Sequence, residues 1–430
     1  MSKKTIEKFN TDYETFHKTC QYHVETLLKW IFLSAIIGIG VGLISALFSN
    51  LLAAATALRQ AHTWIVFGLP LGGLVIIAMY KLAGQEKNVG TNMVMQVVRD
   101  DEELMPGKIA PLILIASIIT HFFGGSAGRE GAALQFGASI GDWFGRRIRL
   151  NQSDRKIITL AAMSAAFAGL LGTPMAAAIF PMEVISVGVM YYSALVPCVF
   201  AAFISQEVCL FFNVRTLKSP YPVTDVPRFY SWATIKFVII GVCFALVGVL
   251  FCTVLHKAED LYAKYLPNRY VRVVVGGVLV IALYLVVGSD DYLGLGSEVI
   301  QSSFETPAGF QAFLLKMLFT AVTLCAGYKG GEIVPTLFIG ATVGSAISVV
   351  AGLPVDLCAA CGMVGVFCAV TNCPIASFII AFELFGGEGM HFYCIVIAVS
   401  YLMSGYKGLY KEQRIMYSKT ENKYINKKLD

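Results

Sequence analysis

Apolar stretches separated by short polar segments extend from about residue 31 to residue 405 of the chain. Eight of them are long and largely continuous: 31–57, 63–82, 108–123, 193–213, 231–255, 270–288, 311–327 and 391–405. Several approach the ~20 residues that a tilted helix needs to cross the hydrocarbon core of a bilayer. The pattern predicts an all-α polytopic membrane protein that lies in a lipid bilayer.

Four other apolar stretches, 124–145, 158–186, 329–352 and 357–386, are interrupted by glycines. Irregular backbone at membrane depth is tolerated only where it is buried in protein or lines a polar cavity. We therefore expect these broken helices to lie inside the protein and to meet near the membrane midplane.

Charged residues are scarce and collect at the two ends of the chain. They make up 14% of the 430 residues, against about 25% in soluble domains. Lys and Arg accumulate on the cytoplasmic side of membrane proteins, so the Lys-rich ends, 1–27 and 407–430, predict that both termini are cytoplasmic. The polar start of the chain predicts no cleavable signal peptide. We attribute the net charge of +5 to these flanks and predict no nucleic-acid partner.

Residues suited to catalysis or metal binding form no motif. The 11 cysteines lie mostly in apolar runs, and Cys358 and Cys361 have no second pair. Buried Cys commonly acts as a small hydrophobe. The six histidines are scattered, and no Ser–His–Asp spacing or phosphate-binding loop stands out. We therefore predict neither an enzyme nor a cofactor, metal or redox site.

Two segments of the chain repeat each other. Residues 163–183 match 363–383 at an offset of 200, and GASIG at 137–141 matches GATVG at 340–344. The loop after GASIG is rich in arginine, whereas the loop after GATVG carries no Lys or Arg up to Leu357. Because Lys and Arg favour the cytoplasmic side, these loops are predicted to lie on opposite faces of the membrane. Such an inverted repeat is typical of secondary transporters, whose sites lie at broken helices near the midplane.

The predicted organisation has four parts. They are a cytoplasmic N-terminal helix (1–27), a first membrane repeat (28–215), a second membrane repeat (216–412) and a cytoplasmic tail (413–430). Glu183 and Glu383 end equivalent helices of the two repeats, for which we predict an architectural role.

Glycine-rich turns precede a predicted helix in each half. They are GGSAGREG at 124–131 and GYKGGEIVP at 327–335, with GTNM at 90–93 as a third candidate. The first turn of a helix presents unpaired N–H groups and the positive end of the helix dipole. Glycines let that backbone approach an anion closely. The turns predict a site for a small inorganic anion, with close helix packing as the alternative reason for the glycines.

Glu130 is an ionisable residue in the first of these turns, and such residues inside a membrane mark functional sites by default. Ionised, it would fill the anion position at the helix N-terminus; protonated, it would swing out and admit the anion. One side chain could thus gate the anion and carry a proton, with simple helix capping as the alternative. Glu332 lies one residue from the equivalent position in the second half, where capping and helper roles are evenly weighted. Arg129 is expected to make structural contacts.

These turns resemble motifs of the CLC family of chloride channels and proton-coupled exchangers, and the resemblance covers about residues 30–412. GREG resembles the family's GREGP motif, which implies that Glu130 is the gating, proton-carrying glutamate. GGEIVP resembles GxFxP, and GTNMV at 90–94 falls where the family has GSGIP. The resemblance implies anion-binding roles for a set of residues: Thr91, Gly131, Ile333, Val334 and Tyr410, with Met93 and Tyr406 as second choices.

Departures from the family motifs resemble its fluoride/proton antiporter branch. GSGIP is GTNMV, GREGP is GREGA, and the Phe of GxFxP is Ile333, preceded by Glu332. Val184, beside Glu183, stands where typical exchangers have an internal proton-relay glutamate. The resemblance implies a homodimer with one pathway per subunit, in which inward protons drive fluoride outward across a bacterial-type plasma (inner) membrane.

Three alternatives remain open from the sequence. A chloride/proton exchanger and a passive chloride channel would both use the same fold. A sodium-coupled transporter of organic solutes would use another inverted-repeat fold, and the glycine-rich turns argue against it. The residues alone do not rank fluoride above chloride.

Overall fold

The computed structural model describes residues 3–86, 90–99, 104–214 and 221–429, with side chains from residue 18 onward. The first part of the described chain contains eight α-helices: α1 (Lys3–Ala61), α2 (Leu69–Leu82), α3 (Thr91–Arg99), α4 (Ile109–Phe122), α5 (Glu130–Arg147), α6 (Gln152–Leu171), α7 (Pro174–Val184) and α8 (Leu195–Phe211). The second part contains eight more: α9 (Trp232–Tyr265), α10 (Arg269–Val287), α11 (Ser297–Glu305), α12 (Gln311–Ala326), α13 (Ile333–Ala351), α14 (Val355–Thr371), α15 (Pro374–Phe385) and α16 (Met390–Met403).

The continuous apolar stretches form α1, α2 with a 3-10 turn before it, α4, α8, α9, α10, α12 and α16, so the predicted all-α membrane architecture is confirmed. Six helical segments in the described ranges are long and apolar enough to cross a bilayer. The glycine-interrupted stretches form α5, α6 with α7, α13, and α14 with α15. In α13, 83% of the most apolar window is buried, against 22% in α10, so this interrupted stretch lies inside the protein as expected.

The breaks between α6 and α7 and between α14 and α15 have the same local chemistry. α6 is followed by Gly172 (φ +83°) and α14 by Asn372 (φ +58°), both left-handed, where glycine and asparagine are the least strained residues. A proline then opens the next helix, Pro174 or Pro374, where its missing N–H costs no hydrogen bond. The sequence repeat is therefore a structural repeat.

Glycines in the repeated GASIG and GATVG segments let neighbouring helices touch. A Cβ on Gly137 in α5 would lie 2.8 Å from the carbonyl oxygen of Ala162 in α6. A Cβ on Gly340 in α13 would overlap the carbonyl of Gly362 in α14. Positions 162 and 362 are equivalent in the repeat, so close packing explains these glycines in both halves.

The structure shows the surroundings of some of the predicted limits between the four parts and leaves others undescribed. The limit at residue 27 lies inside α1, which is continuous from Lys3 to Ala61. The limit at residue 215 lies outside the described residues. The division of the chain stays a prediction.

A small sheet joins the segment after α7 to the segment after α16. β1 (Ser186–Val187) pairs in parallel with β2 (Arg414–Tyr417), which pairs antiparallel with β3 (Tyr424–Lys428). Just before β2, the buried amide Nε2 of Gln413 donates to the carbonyls of Val184 and Thr371, each at 2.8 Å. The predicted tail at 413–430 thus contains a β-hairpin that covers the ends of α7 and α14.

Glu183 and Glu383 each cap the helix that the other one ends. The carboxylate of Glu183, at the end of α7, accepts hydrogen bonds from the N–H groups of Ile375 and Ala376 at 3.0 and 2.8 Å. The carboxylate of Glu383, in α15, accepts from the N–H groups at positions 175 and 176 of α7 at 2.9 and 2.8 Å. The two glutamates join the repeats through the free amides at each helix start, in agreement with the predicted architectural role.

Replacing Glu183 by alanine should destabilise the folded protein by about 3 kcal/mol, since two charge-assisted hydrogen bonds are lost and the amides of Ile375 and Ala376 are left without acceptors. Residual native protein after heating in detergent would measure the effect. Glu388→Ala is the matched control, because Glu388 is exposed. If both variants lose the native state at the same temperature, the capping pair does not hold the repeats together.

Candidate functional site

The glycine-rich turns before α5 and α13 cross at one point. Gly128 and Gly331 form an isolated antiparallel bridge, with N–H···O distances of 2.6 and 2.7 Å in the two directions. A Cβ on Gly131 would lie 2.7 Å from Gly331 Cα, and a Cβ on Gly331 would overlap the Gly131 amide. The first turns of two helices from opposite repeats are therefore in direct contact, which the sequence predicted only as convergence.

The carboxylate of Glu130 lies at the N-terminus of its own helix. Glu130 is the first residue of α5, and its side chain is fully buried. Its Oε2 accepts a hydrogen bond from the Arg129 N–H at 3.1 Å, while Oε1 has no hydrogen-bond partner among the described residues. One carboxylate oxygen is therefore held by the backbone N–H group that precedes α5.

Arg129 is fixed by contacts on both sides of the turn. Its guanidinium donates to Ser49 Oγ at 2.9 Å and to the carbonyl of Leu170 at 2.8 Å. Its Nε lies 3.6 Å from Glu130 Oε1, an ion pair buried at both ends. Arg129 thus makes the expected structural contacts, and it also offsets the charge of the buried glutamate.

Glu332 brings a second carboxylate to the crossing. It immediately precedes α13 and makes no side-chain capping bond there, so the structure gives no support to a capping role. Its Oε2 is buried, lacks a hydrogen-bond partner in the described part of the chain, and lies 3.2 Å from where a Cβ on Gly131 would be. The carboxylate therefore points toward the start of α5. Two carboxylates this close to one anion path would repel each other unless one holds a proton.

The first turns of α5 and α13 supply the predicted backbone donors. The first backbone bond of the helical type in α5 is from the Ala133 N–H to the Arg129 carbonyl, and in α13 it is from Thr336 to Glu332, both at 3.0 Å. The amides of Gly131, Ile333 and Val334 precede these bonds, and all three residues are buried. Donors of this kind hold an anion without a lysine or arginine beside it.

The third turn also starts a helix near this region. Thr91 is the buried first residue of α3, and Met93 lies in the same turn, half-buried. A Cβ on Gly90, which has φ +67°, would lie 3.8 Å from Gln135 Nε2 in α5. Gln135 in turn donates to the Gly131 carbonyl at 3.2 Å.

Gln135 is a residue that the sequence analysis missed. It is buried, it lies one helical turn after Gly131, and its Oε1 has no partner among the described residues. It therefore links the start of α3 to the first turn of α5. The signal was available, because a polar residue four positions after Gly131 lies on the same face of the helix.

The two candidate tyrosines have different surroundings. Tyr410 is buried, and its hydroxyl is without a hydrogen-bond partner in the described ranges. Tyr406 bonds Ser418 Oγ at 3.0 Å and packs on the C-terminal hairpin. Tyr410 thus has an unused buried hydroxyl, whereas the hydroxyl of Tyr406 is bonded to Ser418; the assignment of the site tyrosine stays a prediction.

Comparisons with known proteins agree with this architecture. Residues 71–405 match the model of the voltage gated chloride channel family. A chloride/fluoride channel protein of Pseudomonas syringae pv. tomato is 36% identical over 399 residues, which cover 91% of this chain and 88% of that protein. The crystal structure of a CLC-type fluoride/proton antiporter superposes with a TM-score of 0.86 and 30% identity, covering 90% of this chain and 98% of that one.

A more distant structure shares the fold. A slow cyanobacterial Cl⁻/H⁺ antiporter superposes with a TM-score of 0.74 at 19% identity, over 87% of this chain and 94% of that one. The inverted-repeat membrane fold with broken helices, read first from the sequence, is thus confirmed. The chain belongs to the voltage gated chloride channel (CLC) family of multi-pass membrane proteins.

Proposed function

We propose that this protein is a proton-coupled fluoride exporter, in which Glu130 gates the anion path and carries the proton. The observation that supports this most directly is the buried Glu130 carboxylate at the N-terminus of α5, one oxygen of which accepts no hydrogen bond from the described residues. That carboxylate occupies the place that an anion would take. A protonated Glu130 would lose its attraction to the helix N-terminus and leave that place to the anion.

The remaining proposed site residues surround this position. The amides of Gly131, Ile333 and Val334 would donate to the anion, with Thr91 and Tyr410 lining the central region and Met93 beside them. Glu332 would adjust the charge of the site by taking up or releasing a proton beside the anion path. None of these groups needs a cofactor, and the partners are a small inorganic anion and protons.

Fluoride rather than chloride is proposed for two reasons. The relatives described above include a chloride/fluoride channel protein and a fluoride/proton antiporter. Val184, at the position of the exchangers' internal glutamate, is buried and its carbonyl accepts from Gln413. The neighbouring Glu183 is occupied in capping α15. A proton path that uses Glu130 without an internal relay glutamate therefore fits this chain better than a path that uses both.

The proposed orientation places both termini in the cytoplasm of a cell with a bacterial-type plasma (inner) membrane. Lys29 in α1 pairs with Asp154 at 2.5 Å, beside the arginine-rich loop after α5. The chain near the C-terminal hairpin reaches the same face, since Glu412 pairs with Arg99 and the Arg99 carbonyl accepts from Lys156 at 3.1 Å. The positive-inside tendency assigns this face to the cytoplasm.

Efflux from liposomes tests the proposal. The purified protein is reconstituted with equal internal fluoride and chloride, and the release of each anion is followed in the same preparation. We expect fluoride to leave much faster than chloride, and a pH gradient to drive fluoride uphill. A homodimer, also part of the proposal, predicts twice the protomer mass in detergent by light scattering.

The alternatives give different results in the same assay. Equal or faster chloride release with proton-driven uptake would indicate a chloride/proton exchanger. Release that responds to voltage but cannot be driven by a pH gradient would indicate a passive channel. Either result would contradict the fluoride antiporter.

A further inference from the structure

Three basic side chains outside the Glu130 site converge on Gly294, in the loop between α10 and α11. Lys316 in α12 donates to the Gly294 carbonyl at 2.8 Å. A Cβ on Gly294 would lie 4.0 Å from a guanidinium nitrogen of Arg59 and 3.8 Å from the ring of His121. We call Arg59, His121 and Lys316 the basic cluster.

Members of the basic cluster are buried without matching negative charge. Lys316 is fully buried, donates a second bond to the Tyr292 carbonyl at 3.2 Å, and lies 5.0 Å from the Phe338 ring centre. Within the described residues, no carboxylate approaches its Nζ to 4.0 Å. Burying an ammonium group without a counter-charge is costly, so an uncompensated lysine here calls for a ligand or a strong structural reason.

Arg59 is the second uncompensated charge. It lies in the last turn of α1 and is 3% exposed, yet its Nε has no hydrogen-bond partner in the part of the chain that the structure describes. Its nearest carboxylate, Asp290, is 4.0 Å away and half-exposed. A contact at that distance to a solvated group repays little of the cost of burial. Arg59 therefore retains donor capacity inside the protein.

His121 connects the basic cluster to the gating turn. Its Nδ1 faces the Ser117 carbonyl at 2.8 Å and its Nε2 faces the Ala127 carbonyl at 3.0 Å. Ala127 stands three residues before Glu130, so their Cα atoms are at most about 11 Å apart. The loops also meet directly, because the Gly294 N–H donates to the Gly125 carbonyl at 3.2 Å. The basic cluster therefore contacts the turn that leads to Glu130.

The basic cluster lies at the end of the molecule opposite the arginine-rich loop. Lys29, which pairs with Asp154 of that loop, is 30 residues before Arg59 in the same helix. At 1.5 Å per residue, the two positions are about 45 Å apart, more than the thickness of a hydrocarbon core. In the proposed orientation, Arg59 is therefore on the external side.

We propose that the basic cluster is a receiving site for a small monovalent inorganic anion on the external side of Glu130. The Nε of Arg59 and the third N–H of Lys316 would bind the anion, and His121 would hold the turn between this site and the gate. The anion's charge would compensate two buried cations. The inference rests on the proposed function for its ligand class, but the site can be tested without transport.

Concentration-dependent flux tests this site in the full-length protein. Lys316→Met and Arg59→Gln remove the charges, Lys316→Arg keeps one, and Lys264→Met is the matched control. Lys264 lies 5.3 Å from the ring centre of Tyr265, as Lys316 lies near Phe338, but on the exposed end of α9. With fluoride varied on the side of Arg59, we expect the half-saturating concentration to rise about tenfold in Lys316→Met and Arg59→Gln, which corresponds to ~1.4 kcal/mol.

The other outcomes decide between a ligand site and a structural cluster. The proton-to-anion ratio should be unchanged in the charge-removing variants, and Lys316→Arg and Lys264→Met should stay within about twofold of the parent half-saturation. A lower maximal rate with unchanged half-saturation would mean that the basic cluster only supports the loops. If Lys316→Met does not fold, Arg59→Gln decides, because the carboxylate that it leaves without a cation, Asp290, is half-exposed and solvated.

A binding measurement separates this inference from the proposed function. Sodium fluoride and sodium chloride are titrated against thermal unfolding in detergent, with sodium gluconate holding ionic strength constant. Stabilisation of the parent protein that is lost in Arg59→Gln would support the receiving site even if the parent showed no proton-driven transport. Stabilisation equal in the two proteins would overturn the receiving site even if fluoride/proton antiport were found.

Discussion

Glutamine at position 130 should abolish proton-driven fluoride movement, while passive anion exchange through the protein persists at a reduced rate. The side chain keeps its size and still accepts the Arg129 N–H that Glu130 accepts at 3.1 Å. It cannot take up or release a proton, so a pH gradient has no way to act on the anion. It also cannot become the charged group that alternates with the anion at the start of α5. If the loss of this charged form raises the free-energy barrier to anion exchange by ~1.4 kcal/mol, exchange slows about tenfold.

The measurement is fluoride uptake into liposomes under an imposed pH gradient, together with the accompanying proton flux. Glu305→Gln is the matched control, since it makes the same change on an exposed residue at the end of α11. The control should retain the parent's coupling. Normal proton-driven uptake by Glu130→Gln would remove Glu130 from the mechanism, and the carboxylate of Glu332 would become the next candidate for the proton carrier.

We expect Gly331→Ala to prevent the two repeats from packing against each other, so that little native protein is recovered. A Cβ on Gly331 would overlap the backbone amide of Gly131, which cannot move without displacing the start of α5. The bridge between Gly128 and Gly331, with both N–H···O distances below 3 Å, would open as well. Overpacking in a dense interior costs typically ~1–3 kcal/mol, and a clash with fixed backbone lies at or above the upper end.

Recovery of monodisperse protein after membrane extraction measures this effect. Gly387→Ala is the control, because a Cβ there meets no atom within 4 Å. The control should behave like the parent. Native yield and thermal stability of Gly331→Ala close to those of Gly387→Ala would show that the crossing of the turns can relax, and that the Gly128–Gly331 bridge does not set the site's geometry.

Residue patterns alone determined the membrane class, the helices and the repeat. Apolar stretches of membrane length and left-handed residues followed by proline, as at Gly172 and Pro174, are local features, and the local backbone obeys them. Because the two halves repeat at an offset of 200 residues, the breaks predicted in the first half were also predicted in the second. Motif resemblance added the family, and it singled out Glu130, whose cost at membrane depth is already visible in the sequence.

Tertiary structure decided which groups meet. The contact of Gly128 with Gly331, the reciprocal caps of Glu183 and Glu383, and the hairpin that carries Gln413 all join residues from different repeats or from distant parts of the chain. The burial of Tyr410 and the contact of Tyr406 with Ser418 also depend on where the last segment of the chain returns. The convergence of Arg59, His121 and Lys316 on Gly294 joins four separate elements. No periodicity encodes such contacts, because each depends on how helices far apart in sequence pack against one another.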